Sequence, residues 1–212
     1  LEAVGRTLRI PVFNVPYHQK LMGEEFEAYM GLADIHQYAP SKVALQESDV
    51  VIMVGARLDN QMNFGNPPFI PQSTRLICVN GSHEELEFNR AADLALLSDP
   101  GAFFDALAQI KPFDRQWFDL NRRLRGEWVD QMLADIPELE DDKIHPLNLA
   151  LDVQVAMNDN DWLVIDGGNT HFWSEIAINI AGWKGQKLAN ILHPGTFSML
   201  GVGVPFATAA KL

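Results

Sequence analysis

The 212 residues contain one cysteine, Cys78, only three tyrosines and no apolar run of transmembrane length. A lone cysteine excludes an intrachain disulfide, and its position in an apolar stretch favours a buried structural thiol over a nucleophile. Positive charge is scarce. Lys+Arg 16 against Asp+Glu 28 gives 16 − 28 = −12, so the surface repels phosphate backbones and argues against a nucleic-acid partner. His18, His36, His83, His145 and His193 are scattered, without His-x-x-x-His or Cys-x-x-Cys spacing, which argues against a zinc site built from protein groups alone. Neither a Gly-x-Ser-x-Gly elbow nor a Gly-x-x-x-x-Gly-Lys phosphate loop occurs. Signal-peptide, lipidation and internal-repeat patterns are also missing, and the default expectation is a cytoplasmic protein with no membrane partner.

The chain does contain strand-like runs alternating with helix-like ones. Ile10 to Val15, Val50 to Gly55 and Leu76 to Asn80 read as strands, and Ser41 to Ser48 and Pro100 to Ile110 as helices. Val50 to Val54 is apolar throughout, the pattern of a strand covered on both faces of a parallel sheet. Trp117, Leu120, Leu124 and Trp128 recur at helical spacing and read as packing residues, ahead of the acidic stretch Glu138 to Asp142. A further helix is expected from Pro146, placed in its first turn, to Met157. The expected fold class is α/β, with two doubly wound parallel-sheet domains, the second truncated. Residues 1–112 form the first, 113–146 a linker helix and acidic loop, and 147–212 the start of the second. A chain of this length buries a real core and suits one to two domains.

The most informative stretch is Asp161 to Leu212. The apolar strand Trp162-Leu163-Val164-Ile165 runs into Asp166-Gly167-Gly168-Asn169-Thr170, and then into a helix carrying Phe172, Trp173, Ile176 and Ile180. The glycines allow close backbone approach, Asn169 or Thr170 can cap the helix, and the positive end of the helix dipole suits an anion such as a diphosphate. The competing reading is an ordinary strand–helix connection with a capped helix. A second glycine-spaced segment, Gly195-Thr196-Phe197-Ser198-Met199-Leu200-Gly201-Val202-Gly203-Val204-Pro205, leads into the apolar run Phe206 to Leu212.

These segments resemble the start of the diphosphate-binding domain of thiamine-diphosphate enzymes of the acetolactate synthase, 2-hydroxyacyl-CoA lyase and oxalyl-CoA decarboxylase type. Upstream, Gly55-Ala56-Arg57-Leu58-Asp59-Asn60 and Asn63-Phe64-Gly65 resemble elements of the central domain in the same family. Arg75 to Asn80 reads as the next buried strand, with Glu84-Glu85-Leu86 opening a helical segment. The resemblance spans nearly the whole chain, with gaps.

The resemblance implies thiamine diphosphate and Mg2+ as cofactors, a small-molecule substrate such as a 2-keto acid or a 2-hydroxyacyl-CoA, and a homodimer or homotetramer. Carried over by position, Asn169 and Thr170 beside Gly168 contact the diphosphate. The Ser198 carbonyl receives the 4′-amino group, and Leu200 supports the bent shape of the cofactor. Ser198-Met199-Leu200 departs from the Gly-Thr-Met of the family and adds bulk near the pyrimidine. Arg57 stands where the family often sets an arginine against the ADP portion of FAD or coenzyme A; a structural or solvated arginine is the equal alternative. His171, beside the turn, either meets substrate or is a satisfied supporting group. The Mg2+ ligands and the glutamate that activates the cofactor are expected outside these residues, which read as a fragment, inactive alone, of a lyase or carboligase. A nucleotide-binding or sirtuin-like α/β module and a non-catalytic interaction fragment stay open as alternatives.

Overall fold

The computed structural model describes residues 1–15, 26–34, 38–140, 143–158, 160–186, 190–195 and 199–212. The chain divides into two compact units, one built around Glu27–Leu124 with the N-terminal residues, the other around Arg125–Leu212. Every strand pairing among the described residues is parallel, and α-helices lie between β2 and β3 and between β6 and β7, giving an α/β fold.

In the first unit, helix α1 (Glu2–Leu8) precedes strand β1 (Val12–Asn14), which pairs with β2 (Tyr29–Leu32). Helix α2 (Ala39–Glu47) leads to β3 (Val50–Val54), which pairs with β4 (Arg75–Asn80), and β4 with β5 (Leu94–Leu97). Helix α3 (Pro100–Leu107) follows. It starts where its sequence says it should: Asp99 accepts from the amide of Ala102 at 3.1 Å, and Pro100 fills the first turn, where no amide donor is needed.

Among the described residues β4 is the strand of this sheet that is paired on both sides. β3 is at the edge of the order β3-β4-β5, and Val50 at its start is 46% exposed. The unbroken apolar run marked the strand correctly, and its residues after Val50 are half-buried or buried. One buried cluster gathers around β4. Leu76, Cys78 and Met53 pack with Ala33, Leu58, Met62, Ile70 and Leu86, and burial pushes the Cys78 thiol pKa up, as expected of a structural cysteine. After β4 the chain makes only a 3-10 turn, His83–Glu85, in place of the helical segment expected from Glu84. In the connection from β3 to β4 the Arg90 guanidinium donates to the carbonyls of Gly65, Ile70, Pro71 and Thr74 at 3.0–3.1 Å.

Helix α4 (Arg115–Ala134) contributes to both units. Its most buried line is Phe118, Asn121, Arg125 and Val129, displaced from the aromatic stripe, whose Trp117, Leu120, Leu124 and Trp128 are half-buried. Polar members of that line have local partners. Asn121 donates to the Trp117 carbonyl at 2.8 Å, and the Arg125 guanidinium lies 5.3 Å from the Trp183 ring.

In the second unit, helix α5 (Pro146–Ala156) is capped by His145, whose Nδ1 accepts from the Leu147 amide at 3.3 Å. Strand β6 (Trp162–Val164), helix α6 (Asn169–Trp183) and strand β7 (Asn190–Leu192) form a parallel crossover with Leu163 opposite Ile191. Helix α7 (Gly203–Lys211) ends the chain. α6 is hydrophobic on more than one side because it is covered on more than one side. Ile176, Ala177 and Ile180 join Val129 and Leu147, while Ile178 and Ala181 join Ile165 at the sheet.

Candidate functional site

The site is built where β6 gives way to α6. Ile165 is buried, and its amide donates to the Leu192 carbonyl at 2.8 Å, so pairing with the β7 side continues to the edge of the turn. Gly168 then adopts φ +86° and serves as the N-cap of α6, with no side chain capping the helix. Asn169 and Thr170 are thus not caps, as their residue types suggested, but the first helical residues, with exposed side chains. A left-handed φ belongs to glycine, so the change from strand to helix falls at Gly168. First-turn amides of a helix have no acceptor within it. The His171 amide finds the Gly168 carbonyl at 3.0 Å, which leaves the Asn169 and Thr170 amides at the positive end of the helix.

Asp166 joins this turn to the second glycine-spaced segment. Its Oδ1 accepts from the amides of Gly167 at 2.8 Å, Gly201 at 2.9 Å and Val202 at 3.3 Å, and its Oδ2 from Gly203 at 3.1 Å. The Gly167 amide is the chief cause holding the carboxyl below its ordinary range; burial opposes it, and the amides of Gly203, Val202 and Gly201 add to it. Helix α7 has no side-chain cap of its own, so the carboxylate of Asp166 caps it from another element. The fit is close. A Cβ on Gly203 would lie 3.1 Å from Asp166 Oδ2, and a Cβ on Gly168 would lie 3.2 Å from Leu200 Cδ2. Leu200 is 75% exposed, so its side chain rests beside Gly168 while open to a ligand. Gly168, Asn169, Thr170 and Leu200 therefore come together in one place; Ser198 lies outside the described residues.

His171 is buried, not presented to solvent. Its Nε2 is 2.7 Å from Glu175 Oε1, both residues being almost wholly enclosed, and its ring centroid is 5.1 Å from that of His193. His193 Nδ1 in turn accepts from the Gly195 amide at 2.9 Å. Sequence reasoning missed Glu175 and His193 as neighbours of His171; the i, i+4 spacing of His171 and Glu175 on one helical face was the available signal. Arg57 lies in the first unit. It pairs with Glu85, Nε to Oε2 at 2.7 Å, with a second contact from Nη2 to Oε1, and its guanidinium is 4.8 Å from the Phe88 ring. The shared hydrogen bond raises the Arg57 pKa and lowers that of Glu85. Among the described residues no group of three or more His, Cys, Asp and Glu is arranged to hold a metal ion, and no helix is long and apolar enough to cross a membrane.

Residues 1–107 match the family model described as "Thiamine pyrophosphate enzyme, central domain", and the chain belongs to the thiamine pyrophosphate enzyme family. It is 25% identical over 236 residues to 2-hydroxyacyl-CoA lyase 2 of Bos taurus, covering 100% of this chain and 32% of the relative. To 2-hydroxyacyl-CoA lyase 1 of Mus musculus it is 30% identical over 179 residues, covering 80% and 29%. To the acetolactate synthase isozyme 1 large subunit of Escherichia coli (strain K12) it is 26% identical over 191 residues, covering 86% and 31%. The chain thus spans about a third of the length of these relatives. The residues present fit the cofactor of the family in one respect that can be tested on geometry. A diphosphate needs amide donors at a helix start, and among the described residues no side chain caps the first turn that holds the Asn169 and Thr170 amides.

Proposed function

We propose that this chain serves in a thiamine-diphosphate- and Mg2+-dependent lyase or carboligase that makes or breaks a carbon–carbon bond in a 2-keto acid or a 2-hydroxyacyl-CoA. When bound, thiamine diphosphate supplies a nucleophilic carbon and an electron sink for the carbanion the reaction must stabilise. The second unit contributes one side of its cradle. The Asn169 and Thr170 amides and side chains take the diphosphate, Gly168 lets it approach the backbone, the Ser198 carbonyl receives the 4′-amino group, and Leu200 supports the bent cofactor. The observation that carries this reading is the pairing of an uncapped α6 N-terminus with Leu200 set against Gly168. Magnesium ligands and the activating glutamate would come from residues beyond these, as would a second copy of the chain in a dimer or tetramer. Arg57, over Phe88 and beside Glu85, is proposed to face the ADP portion of FAD or coenzyme A. A cytoplasmic location belongs to the same proposal.

Calorimetric titration of the intact protein with thiamine diphosphate, with and without Mg2+, tests the reading. Saturable binding that needs Mg2+ and weakens in Asn169→Ala supports it. Undetectable binding with Mg2+ present, or affinity indifferent to Asn169→Ala, overturns it.

A further inference from the structure

Resting on that reading, we propose that Asp166 is a positioning residue, which sets Leu200 over Gly168 by holding the 201–203 backbone with its carboxylate. Leu200 has no burial to fix it, being 75% exposed. Its place depends on the chain that follows, and there three consecutive amides converge on one side chain. Gly201 takes φ +89° to make the approach, and Gly203 leaves a Cβ-sized space that Asp166 Oδ2 borders at 3.1 Å. Neither residue is a glycine for the sake of an external ligand alone. Their shape is already matched to Asp166.

The same carboxylate sorts the two helix starts that meet here. α7 has Asp166 at its N-terminus, so its positive end is occupied by a negative charge belonging to the protein. α6 has no side-chain cap. An anionic ligand arriving at this corner is therefore directed to the Asn169 and Thr170 amides and away from α7. The one acidic side chain both shapes the loop and assigns the diphosphate to one helix.

Two substitutions separate these contributions. Asp166→Ala removes every acceptor; Asp166→Asn keeps an Oδ1 for Gly167, Gly201 and Val202 but turns an NH2 toward the Gly203 amide. Hydrogen–deuterium exchange on the peptide spanning residues 199–206 of the intact protein should speed up on the order of tenfold in Asp166→Ala and by roughly threefold in Asp166→Asn, with the β6 peptide unchanged. With cofactor saturating, kcat should fall by about 10²-fold in Asp166→Ala while KM for the substrate and affinity for thiamine diphosphate move far less, and Asp166→Asn should restore part of the loss. Unchanged exchange in Asp166→Ala overturns the proposal, as does a collapse of cofactor affinity with kcat preserved. If Asp166→Ala does not fold, Asp166→Asn decides by the same two readings. If the wild-type protein binds no thiamine diphosphate, the functional reading falls and exchange alone decides whether Asp166 holds the loop.

Discussion

Asp166 Oδ2 and the amide nitrogen of Gly203 are 3.1 Å apart across 37 residues of chain, and this contact brings the two glycine-spaced segments into one site. It also makes the site sensitive to acid. The amide contacts hold the folded pKa of Asp166 below its value in the unfolded chain, about 4. A depressed carboxylate contributes stability that is present above the unfolded value and lost as pH falls through the folded one. In urea titrations, the stability gap between wild type and Asp166→Asn should be widest near neutral pH and close below about pH 4. A gap constant from neutral to acid pH would show that the charge contributes nothing.

Leu200 and Asn169 should fail in different ways. Leu200→Ala leaves the amides of α6 in place, so turnover should drop by as much as about 10²-fold with little loss of cofactor affinity. Asn169→Ala should weaken cofactor binding first, by roughly 1–3 kcal/mol for a lost hydrogen bond to a charged group. Purified full-length variants, titrated and assayed at saturation, distinguish the two; the reverse assignment of effects would refute both roles.

In the first unit, Arg90→Ala should destabilise by about 2–4 kcal/mol, because four carbonyls around residues 65–74 lose their donor at once. Lysine cannot reproduce a planar fork, so Arg90→Lys should recover less than half of that loss. Thermal unfolding of both variants is the measurement, and a full rescue by lysine would mean that charge alone matters there.

The buried His171–Glu175 pair predicts a third stability pattern. Removing one member, as in Glu175→Ala, should cost about 1–3 kcal/mol by taking away one buried polar contact of His171, whereas the double variant His171→Phe with Glu175→Leu should be milder than the sum of its parts. Additive losses in a double-mutant cycle would deny the coupling.

The elements legible in the sequence were those whose cause is local. β3 and β4 follow from unbroken apolar runs, and α3 and α5 from prolines placed just after their caps at Asp99 and His145. Short strands were harder. Tyr29–Leu32 includes Gly31 at φ +104°, and Leu94–Leu97 spans too few residues to show a period. The aromatic stripe of α4 misled because Trp117 and Trp128 are large enough to pack while half-exposed, and the buried line takes Asn121 and Arg125 instead. At the site, the turn and the glycine spacing were visible, and their association with one family holds. The N-cap was misplaced by the high capping frequency of Asn and Thr, and the role of Asp166 was out of reach because its acceptor geometry depends on residues 35–37 positions away.

That separation bears on how the second unit is held together. A helix the length of α7, with nothing in its own first turn to receive its amides, is too short to persist alone in water. Its first-turn amides are instead received by the Asp166 carboxylate just after β6, so the stability of α7 is tied to an element far from it in sequence.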